Sequence, residues 1–562
     1  MRTLKAVLII LALIVVAAPA AFGQQQNQTN DMLNQVIDKI IAREKVEMDN
    51  IHTFSPLVET YIQNLRTEKD GAPTPAGDTY FIGRARFDKG LQVESLIDAG
   101  GFRKGVMSGF SGIFSTGLTY VPVGFLEMVF LDKNGFDREN YKFDYVRREF
   151  LGEVRCLVFD VTPEESKGHH AQSRFVGRIW VEDKDFTIVR FNGAYNGGSR
   201  EKVYFHFDSW RMNTGPNMWL PSFIYSEEKD LHASLVGKAI SFKAQTRLWG
   251  YNLGHSKQEQ ELGRILVEAN APINDQTTTN NDVSPLQAQR SWDRQAEDNV
   301  IDRLERLGLL SPKGEVDTVL EKVVNNIEVT NNLDIQPEIR CRVLLNSTLE
   351  SVSIGHTIIL SRGLIDVLPD EASLATVLAG EVAHIVLGHR VDTQFAFFDR
   401  VLMFNEKETF QHFDFARTKE EDDAASAKAA ELLKNSNYKD QLKTAQLFFG
   451  ELRNRAKEIP NLISPKLGNA VLLQAPVEAQ ANATPEPNQI VALPLGGRVK
   501  LDPWDDKLEM LKSKSVGSIS EREKMPFEVT PFMPYLVRQS SGLPPTNINA
   551  EVKQNDKNPQ QK

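Results

Sequence analysis

The segment Leu368 to Arg390, LPDEASLATVLAGEVAHIVLGHR, narrows what this chain can become more than any other stretch of it. Asp370 reads as the N-cap of a helix, with acidic charge at the positive end of the helix dipole. Within that helix stands Gly380-Glu381-Val382-Ala383-His384. In a stretch of the form H-E-x-x-H, two imidazoles lie about 40° apart around the helix. Both then reach one tetrahedral ion, while the glutamate deprotonates the metal-bound water. Here the glutamate and the second histidine are present, and the first histidine position holds glycine.

A catalytic zinc site takes three protein ligands and keeps a fourth position open for water. His384 is a candidate ligand and Glu381 the candidate general base. On a continuous helix His389 would lie about 140° round from His384, so it does not replace position 380. His356 and His412 are either further ligands or ordinary core and surface histidines.

The first residues carry Arg2 and Lys5, an apolar run from Ala6, and small residues at Ala21 and Gly23 before a glutamine tract. This pattern predicts a secretory signal peptide cut after Gly23, and hence a periplasmic or extracellular protein. The alternative is an uncleaved membrane anchor. No cysteine follows the apolar run, which argues against a lipid-anchored lipoprotein. A net charge of −10 without a long basic block excludes the electrostatic footprint of a nucleic-acid binder. The two cysteines, Cys156 and Cys341, fall in separate strand-like runs and read as two buried thiols rather than a disulfide.

Residues 31–49 repeat apolar side chains at Met32–Leu33, Val36, Ile40–Ile41 and Val46, which predicts an amphipathic leading helix. From Tyr80 to about Gly254, short runs rich in Val, Ile, Phe, Tyr and Trp alternate with turn signals, which predicts an antiparallel β domain. RFVGRIWVEDKDFTIVRFNG reads as one hairpin and EKVYFHFDSWRMNTGPNMWLPSFIYSEE as another. Trp180, Trp210, Trp219 and Trp249 either line an apolar ligand cavity or are plain core. A polar tract at Asn274–Gln289 reads as a linker, with helical patterns resuming at Trp292. The expected division is a signal peptide at 1–23, a β-rich domain at 24–260, a linker at 261–290, a second domain at 291–473, and a Pro/Ala/Gln-rich linker, short ordered segment and polar tail at 474–562.

The residues GLIDVLPDEASLATVLAGEVAHIVLGH resemble the active-site helix of peptidase family M48, the HtpX-like zinc endopeptidases, over about residues 295 to 470. That pattern runs G-L-L, an acidic N-cap, L-A-x-V-L-A-H-E-I-A-H and a further G-H; this chain departs from it at Gly380. The resemblance implies a mostly helical, zincin-like domain with a small sheet, zinc as cofactor if the domain is active, and a third ligand from a downstream helix bearing E-A-D. The corresponding stretch, KEEDDAASAKAAELLKNSNY, aligns in two registers. One makes Glu421 the ligand, with Asp423 behind it; the other places Ala424 and Ser426 there, and both functions vanish. The acidic residues Glu420 to Asp423 also serve simply as helix N-terminal charges.

The leading helix and β-rich part, with R-x-W-V…V-R and D-x-W…W-x-P textures, resemble the half-barrel of outer-membrane lipoprotein-sorting (LolA-like) proteins. In those proteins a curved antiparallel sheet wraps a helix and can hold acyl chains. The expected fold class is therefore α+β: an antiparallel half-barrel with a leading helix, then the zincin-like domain. Three functions stay open. One is a non-catalytic or weakly active binding and quality-control factor for an extended peptide or envelope protein. Another is an active zinc endopeptidase with an altered ligand set, using Glu381, His384, Glu421 and either His356 or His412. The last is carriage of a lipid or a lipoprotein acyl chain.

Overall fold

The computed structural model describes residues 31–67, 73–87, 90–96, 125–132, 135–164, 173–196, 205–232, 239–251, 285–368, 370–391, 393, 415–464, 467, 469–470, 499–502, 507–510 and 534–538. The expected signal peptide, most of the linker, His412 and the polar tail lie outside the described residues.

After a leading helix α1 (31–51) come β1 (Leu57–Thr67), β2 (Pro73–Arg86), β3 (Gln92–Ser95), β4 (Tyr141–Leu151), β5 (Val154–Pro163), β6 (Arg174–Glu182), β7 (Ile188–Asn196), β8 (Phe207–Gly215), β9 (Met218–His232) and β10 (Ala239–Trp249). The chain divides into two compact units. The first holds α1, β4 to β8 and the start of β9, with residues 534–541. Its strands run antiparallel in sequence order, each hydrogen-bonded to the next from β4 to β8.

Both expected hairpins are there: β6 with β7, and β8 turning into β9 through Pro216–Asn217. The core of this unit is aromatic. Trp180 and Trp210 sandwich the Arg190 guanidinium, whose carbon lies 4.2 and 4.5 Å from the two rings. Asp208 accepts from Arg190 Nε at 2.8 Å and from Trp210 Nε1 at 2.8 Å. Trp180, Trp210 and Trp219 are thus packed core side chains, each at most 1% exposed.

The leading helix forms as predicted, but on a rotated face. Met32 and Val46 are exposed, and the buried stripe is Ile37, Ile40, Glu44, Glu47 and Ile51. Glu44 is bonded by Arg211 from β8, and Glu47 pairs with Arg43, one turn earlier on the helix.

The second unit contains β1 to β3, most of β9, β10, and the helical part of the chain. Its long strands follow the order β3-β2-β1-β10-β9, all antiparallel. The remaining elements are α2 (Pro285–Arg306), α3 (Glu315–Thr330), β11 (Arg340–Leu344), β12 (Glu350–Ile354), β13 (Thr357–Ser361), α4 (Arg362–Val367), α5 (Glu371–Val386), α6 (Lys419–Lys434), α7 (Leu442–Arg455), α8 (Pro460–Ile463) and β14 (Asn469–Ala470). A two-stranded ribbon, β15 (Val499–Asp502) with β16 (Lys507–Met510), follows. Helix α2 begins at Pro285 rather than at Trp292. The small sheet has the order β11-β13-β12-β14, with β11 parallel to β13 and the other pairs antiparallel. The α+β class is as expected.

Buried carboxylates explain why β1 and β2 belong with the helical part. Glu59 on β1 accepts from Ser347 N at 2.6 Å, Ser347 Oγ at 2.7 Å and Tyr80 Oη at 2.8 Å. Asp78 on β2 accepts from the Asn461 and Leu462 amides at 2.9 and 2.8 Å, filling the free N–H groups at the start of α8. Close backbone approach also fixes Gly363, at the turn from β13 into α4: an added Cβ would lie 2.0 Å from the Ser347 carbonyl oxygen. Cys156 and Cys341 are free and buried, and burial pushes the Cys156 thiol up to about 12. Among the described residues no helix is long and apolar enough to cross a membrane.

Candidate functional site

Helix α5 starts where the sequence places it. Asp370 is extended, and its Oδ1 accepts from Ser373 N at 2.8 Å and Ser373 Oγ at 2.7 Å. From Ala375 to His384 every residue is buried, so the helix runs through the interior between β12 and α6. Gly380 is buried in the middle of it. Glu381 is fully buried, and its Oε1 accepts from Ser351 Oγ on β12 at 2.7 Å.

The helix ends in a turn that the continuous-helix estimate for His389 leaves out. Gly388 takes the left-handed conformation, φ +73°, which a side chain would strain. The Gly388 amide then donates to Ile385 O and the His389 amide to His384 O, each at 3.0 Å, closing a Schellman motif. This reversal carries the His389 ring back over His384, with Nδ1 to Nδ1 at 2.9 Å. The Leu387-Gly388-His389 sequence held the signal for it: glycine just past the last helical residue.

On its other side, His384 Nε2 stands 3.7 Å from Asp422 Oδ1, beyond hydrogen-bond reach. Burial first, then the Arg417 charge and His389, push the His384 imidazole down to about 3. It is neutral at pH 7, so the contact with Asp422 is not an ion pair. Nδ1 is therefore the His384 nitrogen that is hydrogen-bonded, and Nε2 is buried without a hydrogen-bond partner.

The residues from the downstream helix fall differently from both sequence registers. Thr418 caps α6 and forms a reciprocal box with Glu421: Thr418 N donates to Glu421 Oε2 at 3.1 Å, and Glu421 N to Thr418 Oγ1 at 3.3 Å. The Thr418 amide holds the Glu421 carboxyl below the usual carboxylate range. Glu421 is therefore a capping residue. Asp423 and Ala424 are exposed, and Ser426 is half-buried. The side chain that faces His384 is Asp422, on the stripe with Ala425, Ala429, Leu432 and Leu433 that packs on α5. Burial raises its carboxyl, against the opposing charge of Arg417.

Arg417, just ahead of the cap, is the other residue that sequence reasoning missed. Its Nη2 donates to Ser353 O at 2.8 Å and to Ser353 Oγ at 2.9 Å on β12. Since β14 pairs with Glu350 and Ser351, the β12 edge is engaged at three of its five residues. His356, on the β12–β13 turn, is half-buried, and burial with Arg294, Arg340 and Arg390 lowers its imidazole.

One comparison bears directly on this helix. Residues 351–441 match the model of Peptidase family M48. The M48-like segment thus runs from β12 through α6 to the turn just before α7, and includes Ser351, Gly380, Glu381, His384, Arg417 and Asp422. Comparison with curated proteins finds no match. Among solved structures, the chain is similar to a DUF1329 family protein from Desulfovibrio piger at 12% identity, covering 39% of this chain and 91% of that one, with a TM-score of 0.18. It is also similar to a LolA superfamily protein from Nitrosomonas europaea at 10% identity, with the same coverages and TM-score 0.18.

The residues of the M48-like segment do not fit a catalytic zinc ion. Position 380 has no side chain, His384 Nδ1 is engaged by His389, and Glu421 is held by its cap, so His384 Nε2, buried without a hydrogen-bond partner, is the one imidazole nitrogen of the segment's helix turned to Asp422. Among the described residues no three His, Cys, Asp or Glu side chains converge on a point that would hold a metal.

The depressed His384 has a consequence for acid stability. Its unfolded value is near 6.5, so the unfolded chain takes the proton first as the pH falls. Stability is complete above about pH 6.5 and is lost below it, by up to about 1.4 kcal/mol per pH unit, until the folded group titrates. The raised Asp422 carboxyl acts in the opposite sense, gaining stability as it protonates. Urea melts of the wild type and His384→Asn at about pH 7.5 and about pH 5 isolate the histidine. The wild type is expected to lose more stability than the variant, and equal losses would contradict the assignment.

Proposed function

We propose that this chain is an exported M48-like protein that binds polypeptides of the cell envelope without cleaving them. The observation that supports this reading is the state of Glu381: the carboxylate in the general-base position is sealed from solvent and bonded to Ser351. A general base must reach the proton it removes, directly or through one water. Glycine at 380 and a Glu421 held in its helix cap point the same way.

Export rests on the pattern from Arg2 to Gly23, and the mature chain is expected to begin near Gln24. Mass spectrometry finding Met1–Gly23 intact on the mature protein would contradict that part.

The binding role is tested by titrating a fluorescently labelled unfolded polypeptide with the full chain, with and without zinc. Saturable binding that leaves the polypeptide uncut is the expected result. Zinc-dependent fragments would replace this reading with an altered-ligand zinc endopeptidase. Acyl chains co-purifying in place of polypeptide binding would favour lipid or lipoprotein carriage.

A further inference from the structure

The first unit holds a short stretch of chain that arrives from far along the sequence. Pro534 to Arg538, Pro-Tyr-Leu-Val-Arg, lies against the turn that joins β4 to β5 and the turn that joins β6 to β7. Pro534 and Leu536 are buried, Tyr535 between them is 61% exposed, and Arg538 is ion-paired. Alternate side chains thus face the unit, as along an extended strand.

Both turns are shaped to receive it. Gly152 takes the left-handed conformation, φ +66°, and an added Cβ there would lie 2.6 Å from both the amide nitrogen and the carbonyl oxygen of Leu536. The Glu153 amide donates to that carbonyl at 2.9 Å. At the second turn the buried Glu182 accepts from the Lys184 and Asp185 amides and pairs with Arg538, whose Nη1 also donates to Asp185 Oδ2 at 3.0 Å. The strand ladders and the turn's own amides hold this receiving surface in place, so its shape does not depend on the segment. A main-chain hydrogen bond, a buried apolar side chain and a paired arginine are the parts by which extended peptides are recognised.

We propose that the β4–β5 and β6–β7 turns form a recognition site for an extended polypeptide carrying an apolar residue and, two positions on, an arginine. Pro534–Arg538 is its resident occupant, which an incoming polypeptide of that pattern displaces. The proposal rests on the polypeptide-binding reading above and gives that binding a place on the first unit. Arginine suits the polar end because its planar fork of donors meets two carboxylates at once. A ligand tethered in the same chain competes at an effective concentration of roughly millimolar, so the resident segment sets the threshold an outside peptide must exceed.

The test is a fluorescence-anisotropy titration of a labelled peptide of residues 531–541, PFMPYLVRQSS, with the full chain. Full chain carrying Leu536→Asp and Arg538→Glu, which releases the resident segment, is expected to bind the peptide roughly tenfold or more tighter than the wild type does. Arg538→Glu alone supplies a milder release if the double variant does not fold. The same peptide carrying both substitutions should not bind, and Asp185→Lys added to the released chain should weaken binding of the unsubstituted peptide. Equal affinity of the wild type and the released chain, no binding to either, or binding indifferent to Asp185→Lys would overturn the proposal. The titration with an unfolded polypeptide described above decides the earlier reading separately, because its signal does not depend on this peptide.

Discussion

Replacing Arg211 by methionine is expected to destabilise the first unit by about 3–5 kcal/mol, the range for removing one partner of a buried ion pair. Arg211 is fully buried on β8, and its Nη1 and Nη2 donate to the two oxygens of Glu44 at 2.6 Å each. This bidentate bond ties α1 to the strands. Glu47, one turn along the same face, is also buried; burial raises its carboxyl, and Arg211 is the largest opposing influence. Methionine fills much of the volume but strands Glu44 in the core and leaves Glu47 with its Arg43 pair only. Glu44→Gln in the same chain should recover part of the loss, since the stranded charge is then removed. Chemical denaturation of the variant checks this, and a loss under about 1 kcal/mol would mean the pair contributes no more than an exposed one.

Gly380→His is expected to destabilise the chain by about 1–3 kcal/mol and to leave zinc binding substoichiometric. From the sequence alone the opposite reads more naturally: a restored imidazole one turn from His384, little cost in stability and a gain in zinc affinity. The structure reverses that expectation. Position 380 lies on a helix buried from Ala375 to His384, where added volume forces neighbours apart. Relief of the glycine's poor helix propensity returns at most about 1 kcal/mol. The new imidazole would also find His384 Nδ1 engaged by His389 and Glu421 turned to Thr418. Thermal melts with zinc titration measure both halves, and a variant that melts like the wild type while binding zinc stoichiometrically would show that Glu421 can leave its cap.

Local signals were legible where one residue decides one geometry. Asp370 capped α5, and the β6–β7 hairpin followed from its turn residues and alternating pattern. Signals that depend on a partner far along the chain were not. On α1 the apolar count favours Val46, which is exposed, and does not place Glu44 inside, because nothing nearby announces that Arg211 arrives from β8 to bond it. The acidic start of α6 has the same character. Glu421, Asp422 and Asp423 are equivalent as composition, and only the packing of Ala425 and Ala429 on α5 decides that Asp422 turns inward while Glu421 serves the cap. His389 was misplaced for a simpler reason: the helix angle was extended through Gly388, although a glycine there signals the helix end.

Zinc stoichiometry of the full wild-type chain, measured by metal analysis after dialysis against zinc and removal of the free ion, tests the central claim most directly. Far less than one zinc per chain is expected, with no zinc-dependent proteolysis before or after loading. Tight binding of one zinc per chain, together with proteolysis that Glu381→Gln abolishes, would contradict it.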